Sequence, residues 1–184
     1  FPRKVQIDKF IIGDEVKEMK SGIYSIPVSY QGERSIVIQT PKMRVPFGIS
    51  EGMNNDGKFT VELSFDGGKG NTKESRRMVE LRDCLDKMND KLTTKCHANP
   101  EWFKGKIKKK TKEVYHDEYL ANCIRPPKDE MKDKYSDRFK IKIPMKDGYP
   151  KDVNFCNDKN EPIRWEDIVN MKGYSSKCLF TISG

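Results

Sequence analysis

Apolar residues recur at every second position over much of this chain, and at every third or fourth position over one stretch only. Residues 23–30 and 35–40 are runs rich in Ile, Val and Tyr, side chains that suit a pleated, half-buried surface. They flank Gln31-Gly32-Glu33-Arg34, short and glycine-bearing as hairpin loops are. Residues 43–49 and 58–66 predict two more strands. The second of these puts Phe59, Val61, Leu63 and Phe65 on one face, and Asn54-Asn55-Asp56-Gly57 before it is turn chemistry. The first third therefore reads as a meander of about four strands. Ahead of it, residues 1–22 mix short apolar pieces such as Phe10-Ile11-Ile12 with charge and predict an arm or first edge strand.

The helical period follows a glycine-rich connection, Gly67-Gly68-Lys69-Gly70. Asn71 is placed to cap a helix over about 71–95, with Glu74 three residues on. Met78, Leu81, Leu85, Met88 and Leu92 then form one stripe, the pattern of a core-facing amphipathic helix. Arg82 with Asp86 and Asp83 with Lys87 stand four apart on its charged side. The helix should end before Asn99-Pro100. Residues 104–135 carry dense charge and scattered apolar positions, which predicts a long, partly mobile loop region. Order returns at Phe139-Lys140-Ile141-Lys142-Ile143-Pro144, with strands also expected over 153–156 and 177–182 and a short helix over 165–171.

Composition supports the β reading. Ile and Val outnumber Leu by 25 to 6, and Ala98 and Ala121 are the only alanines. The expected fold is one domain over 1–184, mainly β (β-rich α+β), with one amphipathic helix and long lysine-rich loops. With 36 basic against 28 acidic residues the net charge is +8, which favours acidic partners. Cys84, Cys96, Cys123, Cys156 and Cys178 include no C-x-x-C pair, and no apolar run has the length of a membrane span. The reading is a reduced, intracellular protein. The chain does not begin with Met, which leaves room for a preceding segment.

Charge also singles out a site. Lys104, Lys106, Lys108, Lys109, Lys110 and Lys112 fall within nine positions, with no acid among them, directly behind Trp102 and Phe103. Lysines neutralise phosphates without reading sequence, and an aromatic face gives an unpaired base a surface to stack on. The plain alternative is a solvated lysine loop. Arg44 and Phe47 near a strand end could meet a phosphate and a base, against core packing for Phe47. Lys140 and Lys142 project on one side of their strand, suited to tracking a backbone or simply to facing water. Tyr115 and Tyr135 are further stacking candidates.

Other chemistry fits poorly. Gly48-Ile49-Ser50-Glu51-Gly52 matches the nucleophile elbow in letters, with His97 or His116 as an imaginable base, but that elbow needs a strand-to-helix turn and here a turn cluster and a strand follow. The glycine-rich connection lacks the Gly-Lys-Ser/Thr of a phosphate loop. Cys96, His97, His116 and Cys123 are not spaced as a structural zinc site. No catalytic residue, cofactor or metal is expected.

Four segments follow one another in a telling order: Thr40-Pro41-Lys42-Met43-Arg44-Val45-Pro46-Phe47-Gly48-Ile49-Ser50, Phe59-Thr60-Val61-Glu62-Leu63-Ser64-Phe65, Glu101-Trp102-Phe103-Lys104-Gly105-Lys106 after the helix, and Tyr135-Ser136-Asp137-Arg138-Phe139 running on to Pro144. Together they resemble the OB-fold single-stranded DNA-binding proteins of nucleocytoplasmic large DNA viruses, similar to podophage single-strand binding proteins. Arg138, in the last block, joins Lys140 and Lys142 as a candidate contact. The resemblance covers most of residues 23–182. It implies an OB-like barrel of about five or more strands that coats single strands in viral DNA replication, recombination or repair. Such proteins often continue into an acidic tail that recruits partners, whereas this sequence stops at Gly184. The expected partner is single-stranded DNA bound without sequence preference, with replication proteins and a second copy of the chain as further ones. The expected place is the host cytoplasm or nucleus during infection, or the virion. The alternative is a non-enzymatic virion-internal or scaffold protein that binds duplex DNA or an acidic capsid partner.

Overall fold

The structure, a computed structural model, describes residues 5–18, 24–51, 57–103, 111–112 and 124–183. It is mainly β with one long helix. In chain order come β1 (Phe10–Ile12), β2 (Lys17–Glu18), β3 (Tyr24–Ser25), β4 (Val28–Tyr30), β5 (Ser35–Gln39), β6 (Met43–Val45), β7 (Ile49–Glu51) and β8 (Phe59–Ser64). The helix α1 (Lys73–Ala98) follows, then β9 (Ile124–Arg125), β10 (Arg138–Ile143), β11 (Met145–Lys146) and β12 (Tyr149–Pro150). The chain closes with the single turn α2 (Trp165–Ile168), β13 (Tyr174–Ser176) and β14 (Leu179–Ser183). The described residues fall into two compact units, one drawn from 1–41, 79–123 and 178–184, the other from 42–78 and 124–177. Among them the ladders form separate sheets and do not close into a barrel. No described helix is long and apolar enough to cross a membrane.

In the first unit β1 pairs with β4, β2 with β3 and β5 with β14, all antiparallel. The 23–30/35–40 hairpin is reduced to one bridge, Tyr30 to Glu33, across Gln31 and Gly32 at φ 53° and 88°. The first pairing of the expected meander therefore does not form, whereas the strands expected over 43–49 and 58–66 do pair, as β6 and β7 against β8. The buried positions of β5, Ile36 and Ile38, face Ile182 and Phe180 of β14 instead, so apolar matching across distant strands outweighs a nearby turn.

Helix α1 is capped by Thr72, one residue after the expected Asn71: its Oγ1 accepts the Ser75 N–H at 3.1 Å, satisfying a donor of the first turn. Met78, Leu81, Leu85 and Met88 are buried as the stripe requires, joined by Cys84 and Cys96, whereas Leu92 is half-buried. Arg82 meets Asp86 at 3.8 Å on the exposed side. The helix runs three residues past 95 and stops at Ala98, two residues before Pro100, whose ring cannot continue it.

Burial also decides the thiol chemistry of α1. Desolvation pushes the Cys96 thiol up from an ordinary 9.0 to about 11, and pushes Cys84 upward against the opposing effect of Lys87. A folded value above the unfolded one gives a contribution fully present below pH 9 and lost as pH rises through about 11. The denaturant midpoint should therefore fall over that alkaline interval, and part of the fall should vanish in Cys96→Ala. An identical slope in the variant would remove Cys96 as the cause.

The second unit is built on an antiparallel sheet in the order β13-β6-β8-β10-β9, with β7 also paired to β8. Val45, Leu63 and Phe139 are buried in it to 3% exposure or less, each contributing on the order of 1.5–3 kcal/mol. Phe59 meets Trp165 edge-on at 5.1 Å, and Phe155 lies 5.8 Å from the same ring. The strand expected over 153–156 is absent apart from a bridge between Cys156 and Pro162. Its neighbour Asn157 accepts the N–H groups of Lys159 and Glu161 on its side-chain oxygen, both at 2.9 Å, a local turn that competes with a ladder. The helix expected over 165–171 is the one turn of α2, and β13 was not foreseen. In the predicted loop region, β9 and a 3-10 turn at Asp129–Met131 are ordered elements.

Candidate nucleic-acid interface

The strongest candidate surface follows from strand register in the second unit. β8 and β10 pair over their full length, placing Arg138 opposite Ser64, Lys140 opposite Glu62 and Lys142 opposite Thr60. Directly opposed residues of an antiparallel pair share a face. Arg44 of β6 also stands opposite Ser64, Arg125 of β9 opposite Arg138, and Ser50 of β7 opposite Thr60. Five cations and one acid, Glu62, thus occupy one side of the sheet. The alternate positions Ile49, Val61, Leu63, Ile124, Phe139 and Ile141 occupy the other.

The edge of that face is interrupted where it carries an aromatic. Arg44 pairs with Ser64 and Ile49 with Val61, so the four residues 45–48 oppose only Glu62 and Leu63. Pro46 has no N–H for the ladder, and Gly48 turns the chain at φ 71°, a conformation open to glycine. A side chain at Gly48 would lie 2.1 Å from the Met171 carbonyl oxygen. This double bulge leaves Phe47 44% exposed, in keeping with the use of bulges to re-aim side chains. Core packing is not its role.

Arg138 ties the bulge to the cationic row. Its guanidinium lies 5.3 Å from the Phe47 ring centroid, within cation–π range, and its Nη1 donates to Glu62 Oε2 at 2.8 Å. Its Nε is buried without an acceptor among the described residues. Arg44 reaches Asp66 at 3.4 Å, the arginine side chain mostly exposed and the aspartate partly so. Such a pair contributes about 0–1 kcal/mol, so Arg44 can exchange Asp66 for a phosphate at little cost.

The structure thus brings together Arg44, Phe47, Arg138, Lys140 and Lys142. Tyr135 belongs to the same unit and is exposed, its N–H bonded to the Met131 carbonyl. The other candidates belong to the first unit. Trp102 is half-buried in a 3-10 turn at Pro100–Phe103, and Lys112 is bound to Asp90 of α1 at 2.7 Å. Lys104, Lys106, Lys108, Lys109, Lys110 and Tyr115, and the side chain of Phe103, lie outside the described residues. Arg125 was missed because its strand is two residues long. The signal was Pro126 after it, since a residue before proline is held extended.

The geometry bears on the other motifs too. Ser50 lies within an antiparallel strand with its hydroxyl 3.5 Å from that of Thr60, not at a strand-to-helix elbow. A side chain at Gly67 would come within 2.9 Å of the Met78 methyl, so this glycine serves close packing. Cys96 is buried within α1, and the described residues hold no group of three or more metal-binding side chains; His116 and Cys123 lie outside them. No family model, curated protein or solved structure matches the chain.

Proposed function

We propose that this chain is a non-enzymatic, sequence-nonspecific single-stranded DNA-binding protein acting in viral DNA replication, recombination or repair, with the OB-like barrel as the finer form of its fold. The observation that carries this reading is the register that sets Arg44, Arg125, Arg138, Lys140 and Lys142 on one sheet face beside the exposed ring of Phe47. Cations in a row neutralise successive phosphates, and an aromatic at the row's edge accepts an unstacked base of any identity. The lysine run behind Trp102 adds charge of the same kind.

Fluorescence anisotropy with labelled oligo(dT) and a matched duplex, at several salt concentrations, tests it. Five phosphate contacts would give a slope of log affinity against log salt near −3.5 on a single strand. Lys140→Gln with Lys142→Gln should make the slope shallower by about 1.4, and neutralising Lys108, Lys109 and Lys110 by about 2.1 if those lysines also contact phosphates. Equal affinity for duplex and single strand would overturn the proposal and favour a virion-internal or scaffold protein. An unchanged slope in the Lys140/Lys142 variant would remove the sheet face as the site.

A further inference from the structure

The row of cations does not end with β10. At Pro144 the extended chain changes partner: Ile143 is the last residue opposite β8, and beyond it Lys151 N–H donates to the Pro144 carbonyl at 2.8 Å, with Met145 opposite Pro150 and Lys146 opposite Tyr149. Proline is tolerated there because no ladder donor is needed of it at the exchange. Asp147 and Gly148, at φ 52° and 84°, close the hairpin through a two-residue turn with both central residues at positive φ. By alternation Lys146 continues the series Arg138, Lys140, Lys142. The ring it opposes, Tyr149, is 60% exposed. Aromatic and cation are thus set side by side, as Phe47 and Arg138 are at the other end of the strand.

We infer that Tyr149 is a second base-stacking station, so that a single strand of DNA runs from Phe47 along Lys140 and Lys142 to the β11–β12 hairpin. This rests on the reading that the sheet face holds single-stranded DNA. The six residues of β10 span about 17 Å at roughly 3.4 Å per step. At the roughly 3.4 Å per nucleotide of a stacked strand, about five nucleotides lie alongside β10 itself, within the site size of a single binding domain. Phosphates pair with the lysines between the stations, and the end bases stack.

Tyr149→Ala and Tyr149→Phe, measured by anisotropy on labelled oligo(dT) of about four and about twelve nucleotides, test the inference. The longer oligonucleotide reaches both stations and should lose about tenfold in affinity with Tyr149→Ala, as expected for one stacked base. The shorter one occupies one station at a time and should lose no more than about twofold, because Phe47 remains. Tyr149→Phe should retain wild-type binding of both, since the ring and not the hydroxyl stacks. Equal binding of the longer oligonucleotide by wild type and Tyr149→Ala would overturn this station and leave the sheet-face reading intact. Failure of the wild-type protein to bind either oligonucleotide would overturn both.

Discussion

Gly48→Ala should lower the thermal midpoint by roughly 5 to 15 °C and weaken single-strand binding in the molecules that stay folded. Two costs combine. A φ of 71° is uncommon for a side-chain-bearing residue, and the added carbon would lie 2.1 Å from the Met171 carbonyl oxygen, a backbone atom that cannot swing aside. Strain and overpacking together cost about 2 to 4 kcal/mol. Gly173 provides the control: it has the same φ of 71° but nothing within 4 Å of an added carbon, so Gly173→Ala should cost only about 1 kcal/mol. Binding should suffer at Gly48 because relief of the clash moves the turn that presents Phe47. An unchanged midpoint and affinity in Gly48→Ala would show that the bulge does not hold Phe47.

Arg138→Ala should weaken oligo(dT) binding by roughly tenfold to a hundredfold, the combined effect of a lost phosphate partner and an unsupported Phe47 ring. Its effect on stability should be smaller. Glu62, only 17% exposed, loses a charged partner at 2.8 Å, yet Lys140 stands directly opposite it in the ladder and can take over. The cost is then about 1 to 2 kcal/mol rather than the roughly 3 to 5 kcal/mol of a stranded buried charge. A cycle with Glu62→Gln separates the two roles. In that background Arg138→Ala should recover stability and not affinity. Recovery of both would mean that the arginine acts on binding through structure alone. Arg138→Lys should bind with intermediate affinity, because it keeps the charge and loses the flat guanidinium lying by Phe47.

Local period made much of this legible. Six alternating residues define each of β8 and β10, and that alternation alone sends Lys140 and Lys142 to the side opposite Phe139 and Ile143. The stripe from Met78 to Met88 likewise fixes α1, although its first cap is Thr72 and not Asn71, a difference of one residue that hydroxyl and amide side chains both permit. At residues 153–156 the local pattern misled, because the side chain of Asn157 satisfies backbone donors that a strand would have paired.

What the sequence determined by itself is therefore that the long segments β5, β8 and β10 are extended and α1 is helical, which side of each is apolar, and that the chain is basic with aromatics near its cations. Tertiary structure alone decided which strands lie together. Arg44, Arg125 and Arg138 are far apart along the chain, and only the order β6-β8-β10-β9 makes them one face; β5 passes over its neighbour β4 to join β14. The physical reason is that a strand's period is set by its own residues, whereas its partner is chosen by apolar matching with the whole chain, after the entropy of closing long loops has been met.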